Sequence, residues 1–325
     1  MKVTVLGGGA YGIALSLMLY KNNCKITIWE KIDETRDLLK KKREHKKVLP
    51  GVKIPNEIII EGDLEKAILD RSLIIFAIPA GFVDSVSSEL SNYIKDDQHI
   101  CLASKGIEQD TCLFVDDVLK KYIKTKNIAV ISGPSFAIDI AKNHPIGLTI
   151  ATKNKKTCEI IHKALGNDTL KLRDTEDIIG TEICGSIKNV IAIASGMISG
   201  MKLPESTQAM FITEALHDIK SLIKALGGDG KTILSFAGFG DLLLTCTSTK
   251  SRNFTFGKMI GERKNPKEVN EYISSTTIEG LYTLKSIHKL IKNKKVDIPV
   301  IDLIHDIVFY DKDPNEIKTF LIQKK

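Results

Sequence analysis

The sequence predicts an α/β protein with two domains, an N-terminal Rossmann-like, doubly wound parallel sheet followed by an all-helical C-terminal domain. The chain has 325 residues, more than a single compact core usually contains. Short apolar runs alternate with amphipathic segments through its first half, as in folds that alternate strands and helices. After about Asp174 no strand pattern recurs. We therefore expect a nucleotide-binding domain over residues 1–180 and a helical domain over residues 181–325.

Six apolar runs are the predicted strands of the first domain: Val3–Leu6, Lys25–Trp29, Leu73–Ile78, Ile100–Ala103, Ile128–Ser132 and Leu148–Ala151. Helical patterns separate them at Ile13–Tyr20, Phe82–Ile94, Thr111–Ile123 and Lys156–Leu165. The second domain has predicted helices at about Glu176–Ser199, Glu205–Leu226, Thr277–Lys292 and Ile301–Val308. Asp313 as N-cap and Pro314 as first helical residue predict one more helix.

Composition favours an ordinary globular protein of the cytoplasm. Hydrophobic residues make up 43% of the chain, yet no uncharged apolar run reaches the ~18 residues of a transmembrane helix. The N-terminus leads directly into a predicted strand, which argues against a signal peptide. The six cysteines and seven histidines match no recognised zinc, disulfide or metalloprotease spacing, so we expect no metal.

The net charge of +7 raises the question of nucleic-acid binding. The densest basic run, Lys40–Lys47, contains no aromatic residue. It is better interpreted as a solvated helix end or loop, with attraction of phosphate as the alternative. We expect a small phosphorylated substrate and no nucleic acid.

A glycine loop follows the first predicted strand and opens the first predicted helix. Gly7, Gly9 and Gly12 form a G-x-G-x-x-G pattern that also contains Ala10 and Tyr11. These glycines permit a tight turn, close approach to a pyrophosphate and close packing of helix on strand. The helix N-terminus offers free N–H groups to the phosphates. The context therefore predicts a dinucleotide site; the alternative is a glycine turn without a ligand.

Glu30 ends the second predicted strand, 18 residues beyond Gly12. A carboxylate there accepts hydrogen bonds from the adenosine ribose and repels a 2′-phosphate. The adjacent Lys31 can instead attract that phosphate. The cofactor is expected to be NAD or NADP, and Glu30 favours NAD.

Further segments occur in a fixed order along the chain: Val48–Val52 (VLPGV), Ser104–Ile107 (SKGI), Gly133–Ala137 (GPSFA), Lys188–Ala194 (KNVIAIA), Ala237–Leu242 (AGFGDL) continuing through Leu244–Ser248, Ser251–Asn253 (SRN), and Glu279–Gly280. Together with the glycine loop they resemble the bacterial-type NAD(P)-dependent glycerol-3-phosphate dehydrogenase family over nearly the whole chain. The resemblance implies hydride transfer between dihydroxyacetone phosphate and sn-glycerol 3-phosphate, supplying glycerol 3-phosphate for phospholipid synthesis.

The resemblance also implies roles for individual residues. Lys188 corresponds to the family's catalytic lysine. The implied substrate contacts are Lys105, Gly133, Ser135, Lys188, Asp241, Ser251, Arg252 and Asn253. The implied cofactor contacts are Gly7, Gly9, Ala10, Tyr11, Gly12, Glu30, Lys31, Lys105, Ala137, Arg252, Thr277 and Glu279.

The chemistry of these residues is compatible with those roles, although several of them also have a purely structural interpretation. Lys188 lies in a nearly apolar helix, where a lysine is costly to bury unless it has a partner or reaches solvent. Lys105 follows a strand at the expected ligand edge, or is a surface lysine. Asp241 either caps a helix or binds a substrate hydroxyl or the Lys188 ammonium. Arg252 offers a bidentate cation to a phosphate. We expect Ser135 to cap the helix that follows it.

Three positions depart from the family pattern on the expected substrate side, Ser206, Gln208 and Glu214, where the family commonly has Asn, a basic residue and Arg. These differences bear on substrate binding. A 3-hydroxyacid or ketopantoate-type dehydrogenase of the same architecture, or a non-catalytic NAD-binding regulator, is the alternative. By analogy with related dehydrogenases we expect a homodimer.

Overall fold

A computed structural model describes residues 1–292 and 294–323 and divides into two compact units. The first unit comprises residues 1–108 and 114–178, and the second comprises residues 109–113 and the chain from residue 179 onward. The boundary expected from sequence, between residues 180 and 181, lies two residues beyond this division. Its C-terminal limit at residue 325 lies outside the described residues.

The first unit is built on one eight-stranded sheet in the order β3-β2-β1-β4-β5-β6-β7-β8. Every neighbouring pair is parallel except β6 and β7. The strands are β1 (Lys2–Leu6), β2 (Lys25–Trp29), β3 (Ile59–Glu61), β4 (Leu73–Phe76), β5 (His99–Leu102), β6 (Ile128–Ser132), β7 (Ile146–Ala151) and β8 (Leu170–Thr175). The predicted doubly wound sheet is confirmed.

The two outermost strands were not among the predicted ones. β3 has only three residues, and β8 carries charged residues at alternate positions with mostly exposed side chains. The central strands β4, β5 and β6 are buried at every position, because helices cover both faces of the sheet. Continuous apolar runs therefore mark the centre of this sheet, whereas its edges lack that signal.

Seven helices connect these strands: α1 (Ala10–Lys21), α2 (Asp33–Lys42), α3 (Leu64–Ile68), α4 (Val83–Leu90), α5 (Val115–Tyr122), α6 (Ala137–Ala141) and α7 (Lys155–Leu165). The basic run Lys40–Lys47 covers the end of α2 and the loop after it. Arg43 adopts a left-handed conformation there, and its guanidinium donates to the carbonyls of Ile54, Pro55 and Ile58. The buried Glu44 accepts from the Gly51 N–H and pairs with Lys53. Part of the run thus orders its own loop.

All the regular secondary structure described in the second unit is helical. Its α-helices are α8 (Ile178–Gly200), α9 (Glu205–Ala225), α10 (Asp241–Cys246), α11 (Arg252–Gly261), α12 (Pro266–Ser275), α13 (Glu279–Leu290), α14 (Pro299–Phe309) and α15 (Glu316–Ile322). A 3₁₀ turn at Gly230–Leu234 and a π-type turn at Phe236–Gly240 lead into α10. α8 is the single described helix long and apolar enough to span a membrane, and 89% of its apolar window is buried inside the protein.

The helices α8 and α11 pack against each other through glycines. A Cβ at Gly257 would overlap the Ile193 carbonyl oxygen, and one at Gly261 would overlap that of Met197. On the facing helix, a Cβ at Gly196 would overlap the Phe254 carbonyl oxygen. The two backbones therefore lie closer than larger residues would allow.

The last helix begins later than predicted. Its N-cap is Asn315 and its first residue is Glu316, so the expectation that Asp313 caps it and Pro314 starts it is wrong. The Asp313 carboxylate instead accepts from the Asn315 N–H and binds Arg263. This local bond holds the chain in a turn before regular helical bonding begins.

Candidate active site

The glycine loop connects β1 to α1 at the carboxyl edge of the parallel strands. Gly7 has φ 115°, which favours glycine, and a Cβ at Gly12 would overlap the Gly7 carbonyl oxygen. Gly9 is exposed, and a Cβ there would meet no atom within 4 Å. Gly7 and Gly12 are thus needed by the fold itself. Gly9 leaves open space beside the N-terminus of α1, where Ala10 and Tyr11 begin the helix.

Glu30 lies against this loop at the end of β2. Its side chain is buried; Oε2 accepts from the Gly8 N–H at 2.9 Å and Oε1 from the Ile32 N–H at 2.9 Å. Both oxygens keep lone pairs for further donors. The structure therefore holds a carboxylate beside the glycine loop, as a ribose-binding residue requires.

The neighbouring Lys31 points elsewhere in the structure. Its Nζ pairs with Glu89 at 3.0 Å, and both side chains are exposed. A surface pair of this kind contributes at most about 1 kcal/mol, so it can be broken by a competing anion.

The loops after β5 and β6 end at the same sheet edge, because these strands run parallel to β1. Lys105 is half-buried in the loop after β5, and Gly133 follows β6 directly. The expectation that Ser135 caps α6 is wrong. Phe136 occupies the N-cap position without a side-chain bond. Ser135 Oγ instead donates to the Gly133 carbonyl at 3.0 Å and lies 3.0 Å from the Tyr11 hydroxyl. The hydroxyl of Ser135 therefore faces Tyr11 of the glycine loop rather than its own helix.

The second unit contains a nearly enclosed lysine with a carboxylate partner. Lys188, on α8, has a side chain 12% exposed, and that of Asp241, on α10, is 2% exposed. Lys188 Nζ donates to Asp241 Oδ1 at 2.7 Å and to the Thr245 hydroxyl at 3.1 Å. Thr245 in turn donates to the Asp241 carbonyl at 2.6 Å. The ammonium is thus held between two groups that are one turn apart on α10.

A ring of amide hydrogen bonds adjoins Lys188 in sequence. Asn189 Nδ2 donates to Glu279 Oε2 at 3.0 Å, and Asn189 Oδ1 accepts from Asn253 Nδ2 at 3.0 Å. Asn253 Oδ1 accepts from the backbone N–H of Gly280 at 2.8 Å. This ring joins α8, α11 and the start of α13, so Glu279 and Asn253 both have structural partners in addition to any ligand.

The segment Ser251–Asn253 forms the N-terminus of α11. Ser251 is the N-cap, and its hydroxyl accepts from the Phe254 N–H at 3.3 Å. Ser251 and Asn253 are buried, whereas the Arg252 side chain between them is exposed. A helix N-terminus with free N–H groups and an adjacent arginine is well suited to an anion.

The remaining predicted positions differ in solvent exposure and in their side-chain hydrogen bonds. Thr277 is exposed in the connection between α12 and α13. On α9, Ser206 is exposed and Glu214 half-buried. The Gln208 amide donates to the Ser195 hydroxyl at 2.7 Å and to the Cys246 carbonyl at 3.0 Å. Gln208 therefore supports the C-terminal end of α10.

Two residues at this site were not singled out from the sequence. Thr245 lies one helical turn beyond Asp241, and that i, i+4 spacing is the signal that would have indicated it. Asn189 follows Lys188 directly, but nothing in its neighbourhood predicts that it closes a ring with two distant segments.

The predicted residues are divided between the units. The first unit contains a dinucleotide-type glycine loop with its carboxylate, and the second contains a paired lysine and an anion-compatible helix N-terminus. The open space at Gly9 and the oriented Glu30 carboxylate fit a dinucleotide cofactor. This combination defines an NAD(P)-dependent oxidoreductase.

Comparison with known proteins specifies the class further. The family model for the N-terminus of NAD-dependent glycerol-3-phosphate dehydrogenase matches residues 2–158, and the model for its C-terminus matches residues 177–319. The chain belongs to the NAD-dependent glycerol-3-phosphate dehydrogenase family.

Individual relatives agree with this assignment. A glycerol-3-phosphate dehydrogenase [NAD(P)+] of Fusobacterium nucleatum is 34% identical over 100% of this chain and 98% of its own length. One from Agathobacter rectalis is 32% identical over 97% of this chain and 94% of its own. The crystal structure of glycerol-3-phosphate dehydrogenase from Coxiella burnetii has a TM-score of 0.92 at 29% identity, covering 99% of each chain. The 3-hydroxyacid and ketopantoate-type alternative is not better supported.

Proposed function

We propose that this enzyme interconverts dihydroxyacetone phosphate and sn-glycerol 3-phosphate, with Lys188 as the residue that exchanges the substrate proton. The observation that carries the proposal is the enclosed hydrogen bond between Lys188 and Asp241. A lysine held in one orientation by a carboxylate can donate a proton to a ketone oxygen and recover it from an alcohol. When bound, the nicotinamide supplies or accepts the hydride.

The partners of Lys188 define what this residue does in each direction. During ketone reduction the ammonium donates its proton, and Asp241 orients it and stabilises its charge beforehand. During alcohol oxidation the neutral amine accepts the hydroxyl proton, and Asp241 stabilises the ammonium that forms. The Thr245 hydroxyl accepts a second hydrogen bond from Lys188 and so helps Asp241 to orient the ammonium.

The phosphate is proposed to bind at the N-terminus of α11. Arg252 is the exposed cation there, and Ser251 and Asn253 fix the first turn of the helix by their own hydrogen bonds. The backbone N–H groups and the guanidinium would share the phosphate oxygens. Lys105, Gly133 and Ser135 are proposed as substrate contacts of the first unit, on the basis of the family resemblance and their position at the strand ends.

The cofactor is NAD or NADP, and we favour NAD. Glu30 is an oriented carboxylate beside the glycine loop, where a 2′-phosphate would meet a negative charge. Lys31, the residue next in sequence that could attract a 2′-phosphate, pairs with Glu89. Ala137, Thr277, Glu279 and Arg252 are further proposed cofactor contacts by resemblance.

The proposed setting is the cytoplasm, where the product would supply phospholipid synthesis, and the proposed assembly is a homodimer. All six cysteines are free in the structure, which is compatible with a reducing compartment. The other two proposals rest on analogy with the family.

The direct test is oxidation of NADH or NADPH by the purified enzyme with dihydroxyacetone phosphate. Lys188→Met would be compared with Lys220→Ala, which removes an exposed lysine of α9. We expect Lys188→Met to lower kcat by about 10³-fold or more while NADH still binds, and Lys220→Ala to retain wild-type rates. Glu30→Gln is expected to raise the NADPH to NADH ratio of kcat/KM about tenfold.

Tight cofactor binding without turnover of this substrate would refute the proposed reaction. In that event carboxylate-bearing ketones would be tested next, because the changed positions Ser206, Gln208 and Glu214 lie on the expected substrate side.

A further inference from the structure

Three side chains with metal-binding atoms converge on one face of the first unit. Cys158 and His162 lie four residues apart on α7, and Asp174 lies on the edge strand β8. The thiol sulfur, a ring nitrogen and a carboxylate oxygen are all within 4.8 Å of one another. His162 Nε2 lies 2.7 Å from Asp174 Oδ1.

The fold brings these atoms together for two reasons. Residues four apart on a helix share a face, so Cys158 and His162 project in the same direction. On β8, Asp174 shares a strand face with Leu170 and Leu172, which belong to or pack against the core cluster that includes Ile161 of α7. The register of the edge strand therefore places a carboxylate directly beside the two helical ligands.

We propose that Cys158, His162 and Asp174 form a binding site for a Zn²⁺ ion in the first unit. Sulfur, imidazole nitrogen and carboxylate oxygen are the three ligand types that zinc takes in proteins. A tetrahedral zinc ion separates such ligands by roughly 3.3 to 3.7 Å, so only rotamer-scale movement is needed from the present spacing. The fourth position would be taken by water.

The surroundings allow an ion to enter and to be held. The side chains of His162 and Asp174 are 41% and 52% exposed, and Cys158 is half-buried, so the cluster is accessible from solvent. Coordination by the thiol would release its proton and leave a thiolate–zinc bond. The thiolate and the Asp174 carboxylate together neutralise the charge of the ion.

None of the three residues belongs to the proposed oxidoreductase site, and two of them lie outside the family-model matches. His162 and Asp174 fall between the two family-model matches, which end at residue 158 and resume at residue 177. No residue of the cluster takes part in the proposed reaction. A bound ion would instead join α7 to the edge strand β8 and stabilise the folded first unit.

The test uses the full-length protein, freed of metal with a chelator and then titrated with Zn²⁺ or Co²⁺. Calorimetry should show one Zn²⁺ per chain, and Co²⁺ should produce a thiolate-to-cobalt charge-transfer band. Cys158→Ser, His162→Gln and Asp174→Asn should each weaken binding by at least about tenfold. Cys158→Ser alone should abolish the band.

The matched control is His144→Gln. His144 is an exposed histidine that forms a looser pair with the half-buried Asp139, at 3.8 Å, and has no part in the cluster. This variant should bind Zn²⁺ as wild type does, and Zn²⁺ should raise the Tm of wild type and control but not of Cys158→Ser. Absence of the cobalt band in wild type, or equal loss of affinity in the His144 control, would overturn the proposal and leave His162 and Asp174 as an ordinary surface pair.

Discussion

Lys188 Nζ and Asp241 Oδ1 lie 2.7 Å apart in a nearly solvent-free setting, although 53 residues separate them in the chain. Removing one partner of such a pair leaves the other charge buried without compensation. The pair therefore has two consequences, one for the position of the proposed proton donor and one for the stability of the helical unit.

The variant Asp241→Asn tests the first consequence. It keeps the size of the side chain but removes the charge that orients and stabilises the ammonium. We expect kcat for dihydroxyacetone phosphate reduction to fall about a hundredfold. The alkaline limb of the pH–rate profile should move to lower pH, because an ammonium without its carboxylate loses its proton more readily. Steady-state rates from pH 6 to pH 10 measure both effects.

NADH affinity is the control for this variant, since the glycine loop lies in the first unit. An unchanged pH profile, with kcat lowered only through loss of folded protein, would assign Asp241 a purely structural role.

The Thr245 hydroxyl makes a smaller contribution that can be separated by two variants. Thr245→Val preserves the shape but removes the acceptor for Lys188, and Thr245→Ser preserves the acceptor. We expect the valine variant to lose about tenfold in kcat/KM, which corresponds to one hydrogen bond to a charged group, and the serine variant to lose much less. Equal losses in both would mean that the methyl group, and not the hydroxyl, matters.

Substitution by alanine should affect different properties at two glycines of the nucleotide loop: cofactor affinity at Gly9 and folding stability at Gly12. In Gly9→Ala the added Cβ meets no protein atom, so the free energy of unfolding should change by less than about 1 kcal/mol while the Kd for NADH rises. In Gly12→Ala the Cβ overlaps the Gly7 carbonyl oxygen, and the protein should lose about 1 to 3 kcal/mol. Denaturant unfolding and NADH fluorescence titration distinguish the two. Parallel losses of stability would show that Gly9 is also a packing glycine.

The carboxylate of Asp218, on α9, makes stability depend on pH. It accepts from the Val300 and Ile301 N–H groups at the start of α14. The pKa of Asp218 is raised to about 7: burial is the largest cause, the two N–H donors oppose it, and the nearby Asp302 and Asp297 add to it. Between about pH 4 and pH 7 the folded protein holds a proton that the unfolded chain has released. This stabilisation is lost as the pH rises through 7.

The variant Asp218→Asn cannot ionise, but its carbonyl can still accept both bonds. The difference in unfolding free energy between Asp218→Asn and wild type should grow in favour of the variant by roughly 1 to 2 kcal/mol as the pH rises from 5 to 8. Asp218→Ala, which leaves both N–H groups unpaired, should be less stable than Asp218→Asn at every pH. Chemical denaturation at the two pH values measures this. A constant difference between wild type and Asp218→Asn would contradict the raised pKa.

The centre of the sheet was predictable because each buried strand can be recognised from the residues of its own segment. Buried parallel strands such as Leu73–Phe76 are continuous apolar runs, and the turn that Gly7 and Gly12 permit has a fixed spacing. The edge strand β8 was missed because alternate charged residues face solvent there. The proposed zinc ligands were not indicated by any local spacing, because Asp174 lies on that strand and Cys158 and His162 lie on a separate helix.

The candidate site was predictable only residue by residue. Asp241 was recognised as a possible partner of Lys188, but local sequence cannot decide between that role and a helix cap. Ser135 looked like a cap from its position alone, whereas its hydroxyl pairs with Tyr11, more than a hundred residues away. Side chains whose partners lie on other elements depend on the tertiary fold, and no local pattern encodes them.

The close packing of α8 and α11 through glycines fixes the spacing between these two helices. One helix carries Lys188, and the other begins at Arg252. Because their backbones touch at Gly196 and Gly257, neither helix can slide or tilt without breaking the contact. The spacing of the two backbones at this crossing is thus set by the glycines before any ligand binds. Under the proposed function, the same spacing constrains where the carbonyl end and the phosphate end of a substrate can bind.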